Sequence, residues 1–440
     1  MWGNATAVNE KMPAPAANVA GPQRPVDWKS AAVLLAMLGA AALLSQFFRA
    51  STSVIAPELI RDLSLSPELL GFAGGCFFVA LLVPQIFVGV LFDRIGPRIT
   101  VGGLSVFVVI GAILHASATS GFDLALARFV TGLGCSASFM SAVVLITRWY
   151  PRHSWSMALS WVFAISQVGF FLAGLPLAVG NELIGWRACF IVMAVVAAAV
   201  GATFFLLVRD YPPGSQRTPP AEELGPIEGL RRVLAAPGLL RVLALFFFAY
   251  GAFASIMLVW AGPYLHDVHG LDAIGRGRVL LGMAIVQTVA SLVIGPLDRV
   301  FNTRKWVVVA NAAIAVCTLA ALALFPGAPL AITVALLLLL SSVSAYGSIL
   351  LSHIRSHFPD YLAGRGTTTA NMAQIIGAAL LLIVTGFIPS LFPYEGLGYS
   401  LMAYRWIFAT LALALGMGLT VYLTADDAKP RGDEVPSSPV

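Results

Sequence analysis

Arg49 and Arg128 are two positive charges set inside long apolar runs. An arginine does not lose its proton in a protein. Placed in a hydrocarbon layer, its charge costs at least ~2.5 kcal/mol unless it faces a cavity or a partner. Arg49 is therefore expected to face a cavity or a partner, and Arg128 to be a second cationic group of the site or part of a coupling relay. Arg49 lies eight residues before Pro57, about 12 Å along a helix at 1.5 Å rise per residue. Gln46, Arg49 and Ser53 recur at i, i+3 and i+7, so a helix carries all three on one face. The competing readings are plain ones: Arg49 snorkels to the nearer interface, and Arg128 packs against loops at the end of its helix.

Uncharged polar residues within other apolar runs offer the rest of a cavity lining. They are Gln167, Gln287, Ser342, Tyr346, Asn371 and Gln374, the last two sharing a helix face at i and i+3. Each is equally suited to an ordinary hydrogen bond between helices. All 21 Asp and Glu fall in loops, tails or helix ends. No carboxylate is left at mid-membrane to carry a proton or to pair with a cationic drug, which argues against a proton-driven multidrug exporter. The six His are scattered, and no G-x-S-x-G or phosphate-binding loop is present. Enzymatic and ATP-driven readings therefore lack support, and no cofactor or metal is expected. Cys76, Cys135, Cys189 and Cys317 lie in apolar runs without metal-ligand spacing and read as small buried hydrophobes.

The elements that must position these groups follow from composition. The chain of 440 residues is 59% hydrophobic and 11% charged, against about 25% charged in a soluble domain. Twelve segments are long and apolar enough to cross a bilayer. They are Ala31–Ala56, Leu69–Leu91, Ile99–Ala116, Phe122–Ile146, Ser156–Gly180, Trp186–Val208, Leu240–Tyr264, Val279–Leu297, Trp306–Leu324, Ala331–Ser352, Gly366–Ile388 and Tyr404–Leu423. Backbone groups in lipid must be satisfied within their own segment, so these are helices. The predicted fold class is an all-α membrane protein. Most of the 26 Lys and Arg fall on the side of the two termini; the opposite loops hold Arg61, Arg187, Arg276, Arg278 and Arg405. The positive-inside rule then puts both termini in the cytoplasm, and this asymmetry, rather than nucleic-acid binding, accounts for the net charge of +5.

The chain also repeats itself. Gly89-Val90-Leu91-Phe92-Asp93-Arg94-Ile95-Gly96-Pro97-Arg98 has a weaker copy at Gly295-Pro296-Leu297-Asp298-Arg299. The two are offset by 206 residues, as are Pro57 and Pro263. Two pseudo-symmetric six-helix bundles are expected at 29–208 and 240–424. A Pro-rich loop at 209–239 joins them and includes an amphipathic stretch at 227–234. Residues 1–28 and 425–440 read as disordered cytoplasmic tails, and no signal peptide is expected at the start.

At this point the sequence resembles the major facilitator superfamily. Gly89 to Arg98 follow its signature G-x-L-x-D-R-x-G-x-R, and Arg128-Phe129-x-x-Gly132-x-Gly134 follows its fourth-helix pattern R-x-x-x-G-x-G. The resemblance covers about residues 29 to 424. It implies a secondary transporter working by alternating access, with a site near the midplane between two bundles. It also implies a gate on the cytoplasmic side built from Gly89, Asp93, Arg94, Gly96, Arg98, Asp298 and Arg299, in which Arg94 and Arg98 pair with carboxylates of the other bundle when the carrier opens outward. Residues 47–57 resemble the first helix of the organic-anion branch, where an Arg at this distance from the Pro binds the substrate. The second Arg of that branch, in helix 7, is replaced by Ser255, which is expected to line the site in its place, so a monoanion such as a carboxylate is expected rather than a dianionic phosphate ester. The glycine spacing of nitrate porters and the G-P-x-x-G-G antiporter pattern are absent. The expected partners are a small solute, with a proton or a counter-anion as companion, and the lipid of an inner membrane around a monomer. The alternatives are an exporter of neutral or amphipathic compounds and a non-transporting sensor.

Overall fold

The computed structural model describes residues 28–151, 154–212, 233–357, 363–392 and 398–430. Ten helices there are long and apolar enough to span a membrane, and two shorter apolar helices, Glu68–Leu82 and Met157–Ala173, bring the crossings to twelve. No strand occurs among the described residues.

The first six crossings are α1 (Trp28–Leu63), α2 (Pro67–Leu82, continued by Gln85–Arg94), α3 (Pro97–Ser117), α4 (Gly121–Cys135, continued by Ser138–Trp149), α5 (Trp155–Ala173, continued by 175–184) and α6 (186–207). The second six are α7, α8, α9 (Lys305–Leu324), α10, α11 (Ala363–Phe387) and α12 (Leu401–Leu423). Within this set α7 runs Leu239–Ser255, a π-turn over Ile256–Trp260, then Ala261–Asp267. Helix α8 is Ala273–Ile294, followed by Leu297–Phe301. Helix α10 is Leu330–Val343, a 3-10 turn Ser344–Tyr346, and Gly347–Arg355.

Local chemistry sets the ends. Four helices that begin on the side away from the termini carry a side-chain cap for their free N–H groups. Ser66 accepts from Leu69 N, Ser120 and Asp123 form a capping box, Asp272 accepts from Gly275 N, and Ser400 accepts from Ala403 N. Two boundaries depart from expectation. Helix α1 continues through Pro57 to Leu63 instead of ending at Ala56. The fifth crossing breaks at Gly174 and resumes over 175–184, and the turn into the sixth falls at Gly185, whose φ of 78° is open to glycine, so the sixth begins at Trp186 as expected. The stretch expected to be amphipathic at 227–234 lies, apart from its last two residues, outside the described residues, as do 1–27 and 431–440.

On the side away from the termini the two sets of six helices meet closely. Gly71 of α2 faces Gly386 of α11 so tightly that a Cβ on Gly71 would lie 2.5 Å from the partner Cα. Gly262 of α7 packs on the carbonyl of Ser53 in α1, and its N–H donates to Ser53 Oγ at 3.1 Å. That carbonyl lacks its usual helical donor, because residue 57 is a proline. Near the other end of α2, a Cβ on Gly89 would meet nothing within 4 Å. Among the described residues helix α2 is thus pressed against α11 at one end and meets no helix of the second set at the other, so the two sets part toward the side of the termini.

Candidate functional site

Arg49 is half-buried on α1. Its Nη1 donates to the hydroxyl of Tyr250 on α7 at 2.8 Å, and its guanidinium lies 5.5 Å from the ring centre of Phe78 on α2. Its Nε is buried without a hydrogen-bond partner among the described residues. It neither snorkels nor stands alone.

Arg128 is 2% exposed on α4. It donates from Nη1 to the backbone carbonyl of Phe48 and lies 4.8 Å from the ring centre of Phe77. It is a core residue and does not pack against surface loops. Its Nε is buried without a partner among the described residues, as is the Oε1 of Gln46, three residues before Arg49 on α1. The two guanidiniums thus rest on consecutive phenylalanines of α2, and α1 is shared between them. Among the described residues, no carboxylate lies within ion-pair distance of either. Two donors carrying charge, aromatic faces and an unmatched amide oxygen are the components of a site for a small anion that also bears a hydrogen-bond donor.

The other predicted lining residues divide into two groups. Gln167 on α5 donates to Thr288 Oγ1 on α8 at 3.2 Å, bridging the two halves. Gln287 is half-buried beside it in sequence, and Tyr346 is buried in the 3-10 turn of α10. Gln374 Nε2 donates to Asn371 Oδ1 at 2.8 Å, so these two satisfy each other on one face of α11. Ser255 does not turn toward Arg49. It is fully buried and its hydroxyl donates to the Gly251 carbonyl of its own helix at 2.8 Å. The reason is local: the π-turn beginning at Ile256 adds a residue to the turn, so an equal distance from Pro263 no longer means an equal face. The group on α7 that meets Arg49 is Tyr250, which sequence reasoning passed over as one more aromatic in an apolar run.

A second omission lies at the closed end. Arg276, read as a loop cation, is in the first turn of α8 and only 1% exposed. It donates to Glu58 Oε1 at 2.6 Å, to the Val54 carbonyl at 3.3 Å and to the Leu271 carbonyl at 3.3 Å. Glu58 follows Pro57 within α1, so this ion pair links the two halves.

The signature loop at the open end is held within its own half. Gly96 takes φ 88°, and a Cβ there would collide with the Asp210 carboxylate. Asp210 Oδ1 accepts from Arg98 N at 2.7 Å at the start of α3, and Arg98 Nε donates to the Phe205 carbonyl of α6 at 2.6 Å. The second half repeats the design: Asp427 accepts from Lys305 N at 2.9 Å at the start of α9, and Lys305 Nζ donates to the carbonyls of Leu423 and Ala425, each at 2.8 Å. In this arrangement Arg98 does not reach a carboxylate of the other half among the described residues. Asp298 is buried with Arg304 Nε 3.7 Å away, whereas Arg94 and Arg299 are exposed. The side chain of Asp93 lies outside the described residues. Among the cysteines, Cys135 and Cys189 are buried as expected, but Cys317 is exposed on α9.

Comparison with known proteins agrees with this geometry. The family model described as Major Facilitator Superfamily matches residues 38–382. A probable sulfoacetate transporter of Cupriavidus necator is 26% identical over 51% of this chain and 54% of its own length, so the match spans about half of that relative. A hexuronate transporter of Bacillus subtilis is 23% identical over 79% of this chain and 85% of its own length. Among solved structures, a bacterial homologue of the human lysosomal transporter Spinster, in an inward-facing conformation, superposes with a TM-score of 0.75 at 18% identity, covering 89% of this chain and 96% of that one. With twelve apolar crossings in place and a family match over most of its length, the chain belongs to the Major Facilitator Superfamily.

Proposed function

We propose that this transporter moves a small organic monoanion, carboxylate-like in charge, by alternating access. The observation that carries the reading is the pair of arginines within the crossings, Arg128 buried and Arg49 half-buried, with no carboxylate partner among the described residues. A cation in a low-dielectric interior is tolerated when an anion comes to it. Named relatives that carry sulfoacetate, hexuronate and tartrate support an organic anion over a neutral solute. Arg49 and Arg128 hold the charged group, while Gln46, Gln167, Gln287, Tyr346, Asn371 and Gln374 line the path. Residues 29–208 and 240–424 move as the two bodies, and the loops at Gly89–Arg98 and Asp298–Arg299 form the cytoplasmic gate. Both termini lie in the cytoplasm of a cell whose inner membrane holds the protein as a monomer.

Arginine does not titrate, so the protein itself offers no proton carrier at the site. The coupling is exchange, facilitated diffusion, or symport in which the substrate brings the proton. The exporter reading is disfavoured by Arg49 lying on Tyr250 and Phe78 rather than reaching toward lipid headgroups. Uptake of radiolabelled galacturonate and galactonate, with the dianion sulfoacetate for comparison, into proteoliposomes, wild type against Arg49→Ala, tests the reading. Loss of uptake is expected; unchanged uptake of every transported anion would sink it.

A further inference from the structure

Tyr250 is on α7, in the second half of the molecule, and Arg49 is on α1, in the first. Their 2.8 Å hydrogen bond runs from the guanidinium Nη1 to the phenol oxygen. A phenol has one O–H and two lone pairs. Accepting from Arg49 uses a lone pair and leaves the O–H to donate. Phe78 braces both partners: its ring lies 5.5 Å from the guanidinium and meets the Tyr250 ring edge-on at 6.3 Å and 70°. Arg49 in turn keeps a buried Nε with no partner among the described residues. Two unlike donors, a charged N–H and a neutral O–H, are therefore held side by side across the boundary between the halves.

We propose that Tyr250 is the substrate-binding residue that the second half contributes, donating its O–H to the same anionic group that Arg49 holds. The proposal rests on the anion reading of Arg49. A carboxylate or sulfonate has two or more oxygens, so one can face the guanidinium while another accepts from the phenol. Such O–H···O⁻ bonds are short and roughly twice as strong as neutral ones. Because the phenol adds a donor without a charge, the pair suits one negative charge. Ser255, whose hydroxyl is committed to Gly251, takes no part. An anion bound to both residues bridges α1 and α7, so Tyr250 gives the second half a direct grip on the solute.

The test uses the full chain in proteoliposomes with radiolabelled galacturonate and galactonate, comparing wild type, Arg49→Ala, Tyr250→Phe and Ser255→Ala. Phenylalanine preserves the ring that packs on Phe78 and removes only the hydroxyl. For anions whose uptake depends on Arg49, Tyr250→Phe is expected to raise KM about tenfold or more, the scale of one hydrogen bond to a charged group. Vmax should fall less than threefold, and Ser255→Ala should match wild type. A purely structural role for Tyr250 would instead lower Vmax and protein yield with KM unchanged, and that result overturns the proposal. If Arg49→Ala abolishes uptake while Tyr250→Phe leaves KM within twofold, the anion reading stands and the role of Tyr250 fails. If no uptake depends on Arg49, both fail together.

Discussion

Arg128 donates a hydrogen bond to the backbone carbonyl of Phe48, the residue immediately before Arg49. One core cation therefore sets the segment of α1 that carries the other. Both lie against α2, on Phe77 and Phe78 respectively, so the local position of Arg49 depends on three helices of the first half and one of the second.

A buried cation kept for binding weakens the protein that keeps it. Methionine fills much of the same space without the charge. Arg128→Met is expected to abolish anion uptake while leaving thermal stability in detergent unchanged or raising it, by roughly 1–3 kcal/mol from the desolvation cost removed. A melting temperature that falls sharply, with uptake retained, would mark Arg128 as structural.

The pair Arg276–Glu58 closes the end opposite the termini, with side-chain exposures of 2% and 17%. Removing one partner of such a pair leaves an uncompensated charge, at a cost of about 3 kcal/mol to the arrangement that buries it. Glu58→Gln should therefore shift the carrier toward opening at that end. Spin labels placed at the exposed positions 61 and 278 would report a longer distance in the variant. Adding Arg276→Gln to Glu58→Gln should bring the distance part of the way back, and an unaltered distribution in the single variant would remove the latch.

Asp210 and Asp427 each cap a helix that begins on the side of the termini, α3 and α9, from the chain that follows α6 and α12. A carboxylate there satisfies free N–H groups and faces the positive end of the helix dipole. Asp210→Ala and Asp427→Ala should each cost roughly 1 kcal/mol, read as a lower melting temperature. Their effects should add, because the two sites are in different halves and share no partner.

Much of this molecule can be read from residues alone. Apolar length fixes the twelve crossings because lipid allows the backbone no other partner than its own helix. The 206-residue offset marks the internal duplication, and the isolation of Arg49 and Arg128 among apolar residues marks them as costly and therefore used. These are properties of a segment and its neighbours in sequence. Tyr250, Glu58, Arg276, Asp210 and Asp427 belong to a different class. Each is unremarkable in its own segment, and each acquires its role from a group more than a hundred residues away. The π-turn in α7 shows why repeat arithmetic is insufficient even where the repeat is real. One extra residue in a turn rotates Ser255 into its own helix and leaves Tyr250 to meet Arg49. Sequence by itself determined the spans, their duplication and the two buried charges, since local hydrophobicity and desolvation cost decide those. Tertiary structure alone decided what faces the charges, which end is closed and which pairs hold it shut, since those contacts arise only where helices far apart in sequence meet.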